Sequence, residues 1–133
     1  MRIKQLFLSC AALFFISGLI ADERWTDFAS TASGAKFSFK TDSFAFGRTD
    51  SGEEMVMVVG KVDLEGSVAL QQWSVTLGDC NRSMGAFVIS LINGELIQKR
   101  DFVFGAGDVG SSAAELICSM AALHLENSHS QSN

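Results

Sequence analysis

Three glycines, Gly105, Gly107 and Gly110, stand in the spacing G-x-G-x-x-G within VFGAGDVGSSAAELICSMA, residues 103–121, directly ahead of a helical pattern. That spacing suits a dinucleotide phosphate, which needs glycines for close backbone approach and a helix N-terminus for its charge. Such a site also needs a second parallel strand beyond the helix, carrying an acidic residue. Here the helical pattern gives way to NSHSQSN, which has no strand pattern. The glycines therefore read as punctuation, letting the chain leave a sheet edge and recross it to dock a helix.

The remaining reactive side chains assemble into no site. His124 falls on the apolar arc of the helical pattern and His129 in the polar tail, so a serine–histidine–acid triad would have to use a core histidine. Asp50, Glu53 and Glu54 do not have the spacing of a calcium loop and read as a solvated turn. Asp63 and Glu65 lack any feature that would hold them as an acid–base pair. Asn81-Arg82-Ser83 is a glycosylation sequon, with meaning only in a eukaryotic secretory pathway. Trp25 and Trp73 read as core or sheet-face residues. No catalytic, cofactor-binding or metal-ligating residue is assigned, and the expectation is a protein without enzymatic activity.

The cysteines say more. MRIKQLFLSCAALFFISGLIADERW places Arg2 and Lys4 before an apolar run from Leu6 to Ile20, and charge returns at Asp22. This is the layout of a secretory signal peptide over 1–21, with Ala21 before the cut and Gly18 as a second position for it. The apolar run is shorter than the roughly 20 residues a membrane helix needs. A lipoprotein cut at Cys10 would leave AALFFISGLIA at the new terminus, so lipid anchoring there is not expected. Removing Cys10 leaves two cysteines, Cys80 and Cys118, in an oxidising periplasmic or secreted setting, where they are expected to form one bridge. Closing a loop of that length is worth roughly 3–4 kcal/mol in the chain-entropy picture.

Losing Arg2 and Lys4 from ten basic residues leaves eight against fifteen acidic ones. That balance argues against nucleic acid and against an anionic membrane surface, since little would neutralise phosphates. Lys99-Arg100, followed by Asp101, reads as a solvated strand edge.

The elements that position these residues are mostly strands. Phe37, Phe39, Phe44 and Phe46 recur at period two, the mark of half-buried strands. EMVMVVGKVDL at 54–64 reads as an apolar strand whose Gly60 marks a bulge or a close approach. LEGS turns, VALQQWSVTL at 68–77 reads as its partner, and GDCNRSMG at 78–85 interrupts. Asn93-Gly94 between AFVISLI and ELIQKRDFVF predicts a hairpin. A capping box of Ser112 and Glu115 predicts a helix over 113–126, with Leu116, Ile117, Met120, Ala121, Leu123 and Leu125 on its apolar arc. Cys118 lies at the border of that arc. The fold class expected is α+β: about six antiparallel strands with one C-terminal helix packed on a face through a disulfide. The domain spans 22–126 and the polar tail 127–133.

With Trp25 near the mature start, the strand pair around VMVVGKVDL, GDC at 78–80, the hairpin after it and Cys118 in a C-terminal helix, the chain resembles the surface-adhesin protein E family of small exported bacterial proteins. The resemblance implies a Cys80–Cys118 bridge and binding of host matrix or plasma proteins through surface loops. Locally, TASGAKF at 31–37 is similar to the S-G-x-x-Y stretch of periplasmic inhibitors of C-type lysozymes, with Phe37 in place of tyrosine. That similarity implies Ser33 entering the lysozyme cleft and Lys36 approaching its catalytic carboxylates. The same residues also read as a plain glycine turn between two strands. A protein partner is expected under either resemblance, and neither sets an oligomeric state.

The leader pattern yields a first prediction. The exported chain should begin at or near Asp22, which the intact mass of the periplasmic or secreted protein checks; a full-length mass or a lipidated Cys10 would contradict it.

Overall fold

The computed structural model describes residues 24–132. The leader, the cleavage positions and Cys10 lie outside the described residues. Seven strands precede the long helix: β1 (Trp25–Ser30), β2 (Ala35–Lys40), β3 (Ala45–Arg48), β4 (Glu54–Leu64), β5 (Ser67–Thr76), β6 (Met84–Ser90) and β7 (Leu96–Val103). A short helix, α1 (Leu77–Arg82), joins β5 to β6, and α2 (Val109–Ser132) follows β7. All pairings are antiparallel, in the order β1-β2-β4-β5-β6-β7. The seventh strand, β3, lies end to end with β2 along the same edge of β4, where Ser43 Oγ accepts the Val59 N–H between them. The expected six strands correspond to six ladder positions, one of them occupied by two strands.

Hairpin turns of one design recur. At Thr31–Ala35, Thr49–Glu53 and Leu91–Glu95 the first N–H donates to the fifth carbonyl, and the fourth residue donates back to the first. The fourth residue is Gly34, Gly52 or Gly94, each with φ between +90° and +96°, a conformation that disfavours a side chain. Glu65 and Gly66, both at positive φ, make the two-residue β4–β5 turn.

Aromatic contacts require the sheet to curl. In a flat sheet β1 and β5 would lie about 14 Å apart. Yet the Phe28 ring on β1 meets the Trp73 ring on β5 edge-on at 5.8 Å between centroids. A register break at Phe28 turns that side chain inward. Trp73 also lies across Gly60 on β4, where any Cβ would fall within the indole ring. The ladder runs unbroken through Gly60, so the glycine serves close approach and not a bulge.

On the concave side, Phe39, Val56, Val58, Trp73, Val75, Phe87 and Phe102 form the core with Ala113, Ala114, Ile117, Cys118 and Ala121 of α2. The small side chains at 113, 114 and 121 let the helix backbone come close to the strands. The helix begins four residues earlier than the expected 113. Asp108 accepts the Ser111 N–H and caps it, while Ser112 sits within the first turns and Glu115 reaches back to the Gly105 N–H. Ser111 hydrogen bonding holds the Asp108 carboxyl below its ordinary range, the hydroxyl first and the N–H second. The helix also continues to Ser132, past the expected end at Glu126, so the 127–133 stretch is helical over most of its length.

Two further expectations are corrected. GDCNRSMG is not a plain interruption: Thr76 caps α1 there, and Asp79 accepts the Ala86 N–H of β6 and pairs with Arg82. His124, Leu123 and Leu125 are exposed, since burial along the helix ends at Ala121. His124 rests instead against Phe46, with ring centroids 5.7 Å apart.

Cys80 on α1 and Cys118 on α2 are joined by a disulfide, with Cα atoms 5.5 Å apart and a sequence separation of 38. Replacing both cysteines by serine should lower the melting temperature by about 10 °C or more, with hydrogen exchange quickening in α2 while the Asn93–Gly94 hairpin stays protected. Two free thiols in the native protein would contradict the bridge. Gly60→Ala should cost about 1–3 kcal/mol by overpacking against Trp73, read as a lower urea midpoint with the slope unchanged.

Candidate functional site

The curl brings side chains from strands far apart in the order to one place. Phe28, Phe37, Trp73, Phe87 and Ile89 line a cleft of about 80 Å³ whose remaining wall is the start of α2 at Val109, Gly110 and Ala113. β1 and β7 lie five ladder steps apart, about 24 Å in a flat sheet. Even so, Phe28 of one and Arg100 of the other border this single cleft. The polar groups at its edge are Gln71, whose Oε1 accepts the Trp73 indole N–H at 2.9 Å, and Arg100. The described residues form two ion pairs, Arg24–Asp42 and Arg82–Asp79, and Arg100 is in neither.

The sequence groups Arg100 with Lys99 as a solvated edge pair, and both are exposed on β7. They part company across the sheet. Arg100 pairs in register with buried Phe87 and stands two residues from buried Phe102, so it faces the helix side, whereas Lys99 pairs with Val88. The signal for this was the strand alternation through Phe102.

A second feature is apolar and solvent-facing. Leu91, Ile92, Leu96 and Ile97 flank the Asn93–Gly94 turn at relative exposures between 41% and 55%. The β4–β5 turn lies at the same end, with Leu64, Val68 and Leu70 also exposed. β5 pairs with β6 only from Gln72 to Ser74, so its stretch Ser67–Gln71 has one backbone edge unpaired among the described residues. Val68 and Leu70 lie on the convex face, which no helix covers among the described residues. Half-buried Met57 and Val59 continue that face, and Trp25 lies on it beneath the Lys61 ammonium, 4.6 Å from its ring centre.

Ser33 and Lys36 fall at this end too, both exposed: Ser33 in the β1–β2 turn and Lys36 on β2 opposite Ser30. The Ser33 hydroxyl shares a hydrogen bond with that of Thr31 at 2.9 Å. Thr49 and Ser51 repeat this arrangement at 3.0 Å, so T-x-S-G is a turn device that the chain uses twice. Gly105 and Gly107 lie in the β7–α2 connection at φ +82° and +88°, which turn the chain as expected, and Gly110 sits inside α2 beside Phe87.

The acidic turn at 49–54 borders a groove of about 560 Å³ with Asp79, Arg82 and Lys99 across it. Among the described residues, no group of three or more His, Cys, Asp or Glu side chains could hold a metal ion, and no helix is long and apolar enough to cross a membrane.

Together these features define a disulfide-stapled α+β domain: a curled antiparallel sheet, closed on its concave side by one helix and open at its apolar end. No family model, no curated protein and no solved structure matches the chain.

Proposed function

We propose that this chain is a small exported protein, periplasmic or secreted, that binds another protein and carries out no chemistry of its own. The observation that supports this most is the cluster of exposed leucine, isoleucine and valine side chains around the Asn93–Gly94 and Glu65–Gly66 turns. Large apolar side chains gathered in this way at one end of a sheet are costly to leave in water and are characteristic of protein docking. The unpaired β5 edge beside it offers backbone hydrogen bonds to an extended segment of a partner. A disulfide between α1 and α2 suits an oxidising compartment and hence export. In line with the adhesin-like resemblance, the first partners to test are host matrix and plasma proteins.

Plate binding of the purified protein to immobilised matrix and plasma proteins should show saturable capture. The double substitution Leu96→Ser with Ile97→Ser should weaken it about tenfold or more without lowering the melting temperature, since both side chains already face solvent. The exposure of Ser33 at a hairpin tip favours the lysozyme-inhibitor reading as the second one. Inhibition of C-type lysozyme, lost in Ser33→Ala and Lys36→Ala, would establish that reading in place of the first. Absence of both activities would overturn the protein-binding proposal.

A further inference from the structure

The cleft beside Trp73 differs from the apolar end in having a cation at the rim of an aromatic floor. We propose that it binds a short aliphatic carboxylate, with the hydrocarbon between Phe28, Trp73 and Phe87 and the carboxylate on Arg100. Size limits the hydrocarbon. The cleft's 80 Å³ is close to the room taken by three waters at about 30 Å³ each, enough for a chain of three or four carbons.

Charge selects the other end. A guanidinium presents parallel N–H donors that match a carboxylate, and it does so best where apolar walls reduce competition from water. Among the described residues, Arg100 is the sole cationic side chain lining the cleft, which suits a ligand of one negative charge. Asp108 feels the Arg100 charge, but its stronger partners are the hydroxyl and N–H of Ser111, so it remains the cap of α2. Gln71, which also lines the cleft, accepts the Trp73 indole N–H through Oε1 and keeps its amide N–H₂ as a donor.

The same chemistry is found in a free short-chain acid and in the C-terminal leucine or valine of a polypeptide. Both sources are testable with the mature, disulfide-bonded protein labelled with ¹⁵N. Valerate and an acetylated tripeptide ending in leucine are each titrated beside the corresponding amide, and the indole N–H signals are followed. Trp25 lies on the convex face and serves as the internal control.

The Trp73 signal should move with at least one acid while Trp25 stays, and that acid should bind about tenfold or more tighter than its amide. Arg100→Gln, an exposed position, should keep the folded spectrum and erase the preference. A response to valerate alone identifies a free acid as the source; a response to the peptide alone identifies a chain terminus. The proposal is overturned if neither acid moves Trp73, if acid and amide act alike, or if Arg100→Gln retains the preference.

Discussion

The fold depends on Trp73 lying across a residue that has no side chain. Gly60 leaves the space that the indole fills, and from there the ring reaches Phe28 on one side and Phe87 on the other, at 5.8 and 5.9 Å. Rings from β1, β5 and β6 can meet only if the sheet between them bends. The bend creates the concave surface into which α2 packs, and it brings Phe28 and Arg100 to the borders of one cleft. A side chain at residue 60 would push Trp73 off β4, flatten the sheet and open the cleft together. Core, curvature and candidate site therefore share one steric condition.

At the opposite end of the sheet from the exposed leucines, the fastening is polar and covalent. Asp79 accepts from the Ala86 N–H and pairs with Arg82, Thr76 caps the same short helix, and Cys80 in that helix holds Cys118. Ser111 adds a link from α2 to Val103 on β7. The disulfide crosses between elements that the chain order separates, and with the bonds between α1 and β6 and between β7 and α2 it ties these four elements together. Among the described residues the apolar end has no such fastening beyond its ladders and turns, which leaves its surface available without loosening the core.

Much of this architecture was legible because it rests on local rules. Period-two phenylalanines, the Asn-Gly pair and the cysteines Cys80 and Cys118 specify strands, a hairpin and a staple without tertiary knowledge. The bounds expected for the central strand, 54–64, are those observed. The misses arise where a rule of local sequence meets a competitor or an end it does not encode. Ser112 with Glu115 has the letters of a capping box, but Asp108 stands one turn earlier, and its carboxylate competes better for the first N–H groups. Leu123, Leu125 and His124 follow the helical period, yet burial stops at Ala121, and periodicity carries no information about where a covering surface stops. Arg100 was hidden by its neighbours Lys99 and Asp101, which read as a charged edge until the buried Phe102 shows which face each side chain takes.

The recurrence of one turn bears on how far a short motif can be trusted. Thr31–Gly34 and Thr49–Gly52 have the same hydroxyl pair, the same threonine Oγ1 accepting the N–H four residues on, and the same positive φ at glycine. Residues 91–94 reach the same backbone path with Asn93 Oδ1 accepting the Glu95 N–H in place of the threonine bond. A four-residue hairpin loop needs a residue tolerant of φ > 0 at its last position and a short polar side chain to satisfy the N–H groups it leaves free. Ser-Gly and Asn-Gly meet both needs, so the fold alone accounts for Ser33 and Gly34. What the turn geometry does not require is Lys36, whose exposed ammonium contributes to no hydrogen bond of the loop. Discrimination between a turn and a contact surface at this hairpin therefore lies with Lys36: its removal leaves every bond of the turn in place.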